Sequence, residues 1–188
     1  IYPRPASRED ILTVTSTTRL TYQSAWNFRQ SLNSCGPYSL ANMMRITGKT
    51  NTSSETISQE TPWRYHGYTA PFGLARVLLN HGYSIEERIV DFSDEDRLAW
   101  LKSKLAQQKP IIILGEKTGF QHYITLVGYE NEAFHIYDSL EEKDTEGMTI
   151  DKNGEKPGNT DWSNEQLLTF WHAGGFYGLY RYYALTVR

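Results

Sequence analysis

The sequence predicts an α+β fold, a helical lobe followed by an antiparallel β lobe, and three observations carry that expectation. Apolar residues recur at helical spacing behind capping and acidic residues in the first 108 positions. Short β-branched and aromatic runs, separated by turn-forming residues, fill much of the remainder. The chain has 188 residues, 39% of them hydrophobic and 13% aromatic, which suffices for one core without disulfide or metal staples. The chain is therefore taken as a single domain over 1–188, with a lead-in arm over 1–20, the helical lobe over 21–108 and the β lobe over 109–188.

The arm is Pro-, Ser- and Thr-containing, with one apolar patch at Ile11, Leu12 and Val14, and is read as extended with one edge strand. The first helix follows Ser34: Leu40, Ala41, Met43, Met44 and Ile46 share one face and Gly48 ends it. Ser34 is placed to cap this helix, and Pro37 is tolerated in its first turn. Residues 49–68 are polar and read as a surface loop with a short turn. A second helix spans Ala70 to Asn80, with Phe72, Ala75, Leu78 and Leu79 inward. A third opens at Ser93-Asp94-Glu95-Asp96, where acids favour the helix N-terminus, and carries Leu98, Leu101 and Leu105 on one face before Pro110.

The pattern then changes. Ile111 to Leu114 is a short, wholly apolar run that suits a buried strand. His122 to Tyr129 and Ala133 to Asp138 are β-like and joined by Glu130-Asn131-Glu132, which predicts a hairpin or meander. Residues 139–162 read as a charged loop, Ser163 to Gln166 as a capping box before Leu167, Leu168, Phe170 and Trp171, and Tyr180 to Val187 as the last strand.

Charge and cysteine usage remove several function classes. Nineteen Lys+Arg against 22 Asp+Glu leave no excess of base for a phosphate backbone, so no nucleic-acid partner is expected. No apolar run approaches the roughly 18 residues of a membrane helix, so no membrane-spanning segment is expected. One cysteine makes neither an internal disulfide nor a Cys-rich zinc site, and no cofactor or metal is expected. No signal peptide is visible in the sequence as it stands, while the Tyr, Trp, Thr and Asn content fits an exported protein.

Cys35 is placed at the first turn of a helix, where free N–H groups and the helix dipole stabilise a thiolate, and a thiolate there is a usable nucleophile. The competing reading is a buried, inert thiol. A nucleophile needs a base and the base an orienter. Of the five histidines, His66 lies in a polar loop, His81 at a helix C-terminus, and His172 beside a Gly-Gly turn. His122 begins an apolar strand after a Gly-containing loop and can project from the strand end into a cleft; His135 is the rival. Asp138 ends the next strand, and adjacent antiparallel strands can bring it to His122. The expected arrangement puts Nδ1–H on Asp138 and leaves Nε2 for the thiol. For the oxyanion, the Cys35 N–H is one donor and the Gln30 side-chain amide, five residues upstream, the second; Gln23 is too distant to be first choice.

Three stretches share these residues: Gln30-Ser31-Leu32-Asn33-Ser34-Cys35-Gly36-Pro37-Tyr38-Ser39-Leu40-Ala41-Asn42, Gln121-His122-Tyr123-Ile124-Thr125-Leu126-Val127-Gly128-Tyr129, and Phe134-His135-Ile136-Tyr137-Asp138-Ser139. With Gln30, Cys35, His122 and Asp138 in that order, the chain resembles the papain-like cysteine peptidases. More closely, it resembles the bacterial C39-like peptidases, relatives of the double-glycine leader peptidases fused to bacteriocin exporters. The gap from His122 to Asp138 also looks like that family's, and the likeness covers most of residues 22–138. It implies a papain-like fold, a site in the cleft between the lobes, and a bacterial cysteine peptidase acting on a peptide or protein through a Cys35 thioester. Two departures stand: Gln30 is five residues from Cys35 where papain-like enzymes more often show six, and residues 139–162 are a long insert. The same site chemistry also serves an acyltransferase, transpeptidase or deamidase, and an inactive peptide-binding module is the reading from another class. Gly174-Gly175 is read as a turn rather than a self-cleavage site, Asp151-Lys152-Asn153-Gly154 as a turn rather than a calcium loop, and the acids at 141–146 as a solvated face.

Overall fold

The computed structural model describes residues 2–21, 27–30, 33–48, 52–62, 64–65, 68–141 and 159–188. The elements run in the order β1 (Arg4–Pro5), β2 (Thr17–Arg19), α1 (Cys35–Ile46), α2 (Ser54–Glu60), β3 (Arg64–Tyr65), β4 (Tyr68–Thr69), α3 (Pro71–Asn80), β5 (Ile85–Ile89), α4 (Asp94–Ala106), β6 (Ile111–Lys117), β7 (Phe120–Glu130), β8 (Ala133–Tyr137), β9 (Asn159–Ser163), α5 (Asn164–Ala173) and β10 (Tyr183–Val187). The α+β class is the observed one, and the strands from β5 to β9 pair antiparallel throughout.

One sheet organises the molecule, in the order β1-β5-β10-β6-β7-β8-β9, with β2 paired to the far end of β7. Helices cover both faces. Leu40, Met43 and Met44 of α1, Ile57 of α2 and Leu74, Val77 and Leu78 of α3 pack on Ile112, Leu114, Tyr123 and Leu185. On the other face Trp100, Leu101 and Leu105 of α4 and Leu167, Phe170 and Trp171 of α5 pack on Ile111, Ile113, Ile124 and Leu126. Side chains alternate across a strand, so a strand between two helical layers must be apolar at every position, and Ile111 to Leu114 is.

Several expectations are corrected. The stretch read as a loop over 49–68 contains α2, started by Ser53 accepting the Thr56 N–H at 3.1 Å, and the small β3–β4 hairpin. A helix with Ile57 as its one buried apolar residue has too little periodicity to be seen. In α3 the buried face is Leu74, Ala75, Val77 and Leu78, while Phe72 and Leu79 face out. β5 was not anticipated, because Ile-Glu-Glu-Arg-Ile reads as surface; inside the fold Lys104 of α4 ion-pairs with buried Glu86 at 3.0 Å. The arm contributes two short strands rather than one, and the region up to 108 thus supplies three strands of the sheet. The tail of the 139–162 insert forms β9 on β8, and the last strand starts at Tyr183, after a turn over 175–182. The capping box of α5 forms as expected, with Ser163 and Gln166 exchanging bonds. Among the described residues no helix is long and apolar enough to cross a membrane.

Candidate active site

Cys35 is the first residue of α1. Ser34 stands at the N-cap position, but its hydroxyl makes no cap bond. It instead accepts from Arg64 Nη2 at 3.2 Å, while the same guanidinium nitrogen donates to the Asn33 carbonyl at 2.9 Å. The preceding residue, Asn33, has φ 54°, a left-handed turn that Asn tolerates, and it swings the chain into the helix. Gly36 then lets the helix start press against the sheet: a Cβ there would stand 3.1 Å from Leu74 and 3.3 Å from the Tyr123 ring. One turn on, Ser39 Oγ donates to the Tyr123 carbonyl at 3.3 Å and Thr125 Oγ1 donates to the Ser39 carbonyl at 3.2 Å, which fixes α1 over β7.

His122 lies in β7 opposite Gly115 of β6. The missing side chain at Gly115 admits the Phe170 ring of α5, whose centroid stands edge-on 6.4 Å from the imidazole. Asp138 follows the last residue of β8, and β8 is hydrogen-bonded to β7, so one strand spacing separates the two side chains. His122 Nε2 and Asp138 Oδ1 are 2.6 Å apart. The imidazole is 2% exposed and Asp138 fully buried. Asp138 Oδ1 also accepts the Leu140 N–H at 2.9 Å, and its Oδ2 accepts Lys117 Nζ at 2.5 Å. The thiol of Cys35 hydrogen-bonds the His122 ring and the backbone N–H groups of Tyr123 and Gly36.

The ring orientation reverses the one expected from sequence. Asp138 holds Nε2, which leaves Nδ1 for the thiol. The reason is the docking of α1: the thiol is bonded to the Tyr123 N–H, so it lies close to the main chain of β7, on the side of the ring nearest Cβ. That nearer nitrogen is Nδ1, and the farther Nε2 reaches across to the neighbouring strand.

Electrostatics follow from the geometry. Burial pulls the His122 pKa down, but the Asp138 charge and hydrogen bond, helped by Cys35, raise it from 6.5 to about 9. For Cys35, burial works against the thiolate; the hydrogen bond and charge of His122 and the two backbone N–H groups outweigh it, and the thiol lies below its ordinary 9.0. Burial likewise opposes the Asp138 carboxylate, yet His122 and Lys117 hold it well below the usual carboxylate range. Both shifts run in the direction that favours a thiolate beside an imidazolium, with a buried carboxylate behind the ring.

Gln30 lies beside this group. Its N–H donates to the Ser139 carbonyl at 2.9 Å, and its side-chain Oε1 accepts the Ser139 hydroxyl at 2.7 Å. Gln30, Cys35 and His122 line one cleft of about 550 Å³, with Lys117, Phe120 and Phe176 on its walls. Of the other histidines, His81 pairs with Glu60 at 2.6 Å, His135 with Asp161 at 2.5 Å, and His172 bonds the Tyr182 hydroxyl. His66, Gln23, the Asp151–Gly154 stretch and the acids at 142–146 lie outside the described residues. Gly174 and Gly175 lie in the turn after α5; Gly175 takes φ 114°, and a Cβ on Gly174 would stand 2.5 Å from the Gly115 Cα.

Two residues at the site were missed. Lys117, at the end of β6, bonds Asp138 and stands 3.5 Å from Glu141. Gln121, next to His122, accepts the N–H groups of Gly175 and Phe176 at 2.6 and 3.2 Å and so fixes the loop that walls the cleft. Neither belongs to a spacing pattern, and their partners lie 21 and 54 residues away, so no local signal marks them.

Residues 16–166 match the model of the Peptidase_C39 like family. No curated protein matches the chain in sequence. Among solved structures, the fold is similar to a double-glycine motif protease from an AMS/PCAT transporter in complex with the leader peptide, at 16% identity and TM-score 0.58 over 90% of this chain and 94% of that one. It is also similar to the peptidase domain of Streptococcus ComA, a bifunctional ABC transporter of a quorum-sensing pathway (18% identity, TM-score 0.58, 90% and 97% covered). A third is xylellain, a cysteine protease from Xylella fastidiosa (14%, 0.58, 100% and 91%). At these identities the likeness is one of fold.

Proposed function

The chain belongs to the Peptidase_C39 like family, and from that premise we propose that it is a cysteine peptidase hydrolysing a peptide or isopeptide bond through a thioester on Cys35. The observation that carries the reading is the hydrogen-bonded series Cys35–His122–Asp138, whose thiol and imidazole line one cleft, with the imidazole raised to about 9 and the thiol lowered. Both shifts favour the thiolate, the form that attacks without a prior proton transfer.

In the proposed reaction the Cys35 sulfur adds to the scissile carbonyl, and a C–S bond forms as the carbonyl π pair moves onto oxygen. The Cys35 N–H and the Gln30 side-chain amide hold that oxyanion. His122 gives its Nδ1 proton to the departing amine as the C–N bond breaks, leaving a thioester. The imidazole, now neutral, takes a proton from water as the water adds to the thioester, and collapse of the second oxyanion releases the acid and restores the thiolate. Asp138 keeps its proton-free state throughout and holds the ring by Nε2. A peptide substrate is consistent with the leader peptide bound to one of the similar structures, which is a property of that protein.

The test is digestion of a denatured-proteome peptide library, with new termini read by mass spectrometry. Cys35→Ala and His122→Ala are expected to abolish cleavage while leaving the circular dichroism spectrum unchanged. Near-full cleavage by His122→Ala would rule out this mechanism.

A further inference from the structure

We propose that Ser139 is a positioning residue that anchors the Gln30 side-chain amide, so that the segment holding the base also sets the oxyanion donor. The proposal rests on the peptidase reading above, with Gln30 as the oxyanion donor. Asp138 and Ser139 are consecutive, both fully buried, and directed to different partners. Asp138 grips His122, while Ser139 meets Gln30 twice, its carbonyl accepting the Gln30 N–H at 2.9 Å and its hydroxyl donating to Oε1 at 2.7 Å.

The double contact compensates for what Gln30 lacks locally. Gln30 belongs to no helix or strand, and it stands one residue closer to the nucleophile than the spacing more often seen in papain-like enzymes. A flexible amide in that position would lose its donor geometry, because an oxyanion donor works only when held before the charge develops. An amide has one accepting edge and one donating edge. With Oε1 committed to Ser139, the edge remaining for the cleft that Gln30 lines carries Nε2–H. The neighbouring Tyr137 hydroxyl bonds the Phe28 carbonyl at 2.5 Å, so the strand end at 137–139 holds the segment at 28–30 at more than one point.

The only thiol in the chain permits a test without a natural substrate. Acylation by N-benzyloxycarbonylglycine p-nitrophenyl ester forms a C–S bond through a tetrahedral oxyanion and expels p-nitrophenolate with its bonding pair. Alkylation by iodoacetamide forms a C–S bond and expels iodide with no oxyanion. The ratio of the two rates therefore isolates oxyanion stabilisation from thiolate formation. Gln30→Ala is expected to lower acylation about 100-fold, the size of effect for a lost oxyanion donor, and Ser139→Ala about tenfold, both with alkylation unchanged. The Gln30→Ala/Ser139→Ala double variant should acylate no more slowly than Gln30→Ala alone. If Gln30→Ala falls and Ser139→Ala does not, the positioning role of Ser139 is wrong and the oxyanion role of Gln30 stands. If Gln30→Ala acylates normally, both roles are wrong. If Ser139→Ala slows acylation and alkylation equally, Ser139 acts through Asp138 and the thiolate pair, and the proposal is overturned.

Discussion

Replacing Asp138 by Asn is the sharpest perturbation of this site, because it removes one charge and almost no volume. His122 lies at about 9 against an ordinary 6.5, and Asp138 is the largest influence raising it while burial pulls it down. Without the carboxylate charge the imidazole returns to 6.5 or lower, which at 1.36 kcal/mol for each tenfold is a loss of about 3 kcal/mol of preference for imidazolium. His122 is 2% exposed and Asp138 fully buried, so solvent screening reduces this little. Lys117, left without its closest partner, adds a second push in the same direction. The thiolate of Cys35 depends on that imidazolium, so iodoacetamide alkylation at about pH 7.5, followed by intact mass, should slow on the order of tenfold in Asp138→Asn. At about pH 10 the two proteins should converge, since a thiol there ionises unaided. Alkylation of folded Asp138→Asn at about pH 7.5 at the wild-type rate would show that the carboxylate does not set the ionisation of the pair.

In a Cys35→Ala background, Lys117→Met should raise the His122 titration midpoint by less than about one pH unit, because a partly exposed cation that offsets the Asp138 charge is removed; a downward shift of that midpoint, followed by the imidazole resonances in an NMR titration, would contradict the charge assignment. Gly115→Ala should cost about 2–3 kcal/mol, or roughly 5–10 °C in Tm, since the new Cβ would stand 2.3 Å from the Phe170 ring and 2.5 Å from its carbonyl oxygen; an unchanged thermal melt would refute the packing argument. In Cys35→Ala the Asp138 charge and hydrogen bond still raise the His122 pKa, while the share owed to Cys35 is gone, so the stabilisation is complete below about 6.5 and is lost as pH rises from there toward about 9. Melts of Cys35→Ala at increasing pH should therefore show a decline across that window, and Cys35→Ala/Asp138→Asn should be flat there.

Much of the fold was legible because its signals are local. The acids after Ser93 and the Ser163–Gln166 box mark helix starts within one turn, and both helices begin there. The unbroken apolar run at Ile111 marks a strand covered on both faces, which the packing of α3 on one side and α4 on the other explains. What escaped had its cause at a distance. The charges of β5 conceal a strand because Glu86 is neutralised by Lys104, 18 residues away. Phe72 and Leu79 are apolar but face outward, because the sheet determines which side of α3 is covered and the second helix alone does not. Ser34 has the right residue type for a cap, yet Arg64 engages its hydroxyl.

At the site the division is the same. The order Gln30, Cys35, His122, Asp138 and the location of the thiol at a helix start are properties of the sequence, because helix initiation depends on residues three or four apart and strand alternation on residues two apart. Which ring nitrogen faces the thiol, which cation holds Asp138, and what anchors Gln30 belong to the tertiary structure alone. Those partnerships join residues 16, 21 and 109 positions apart. They depend on strand register and on how closely α1 approaches β7, and a shift of one residue in register would turn each of these side chains to the opposite face of the sheet.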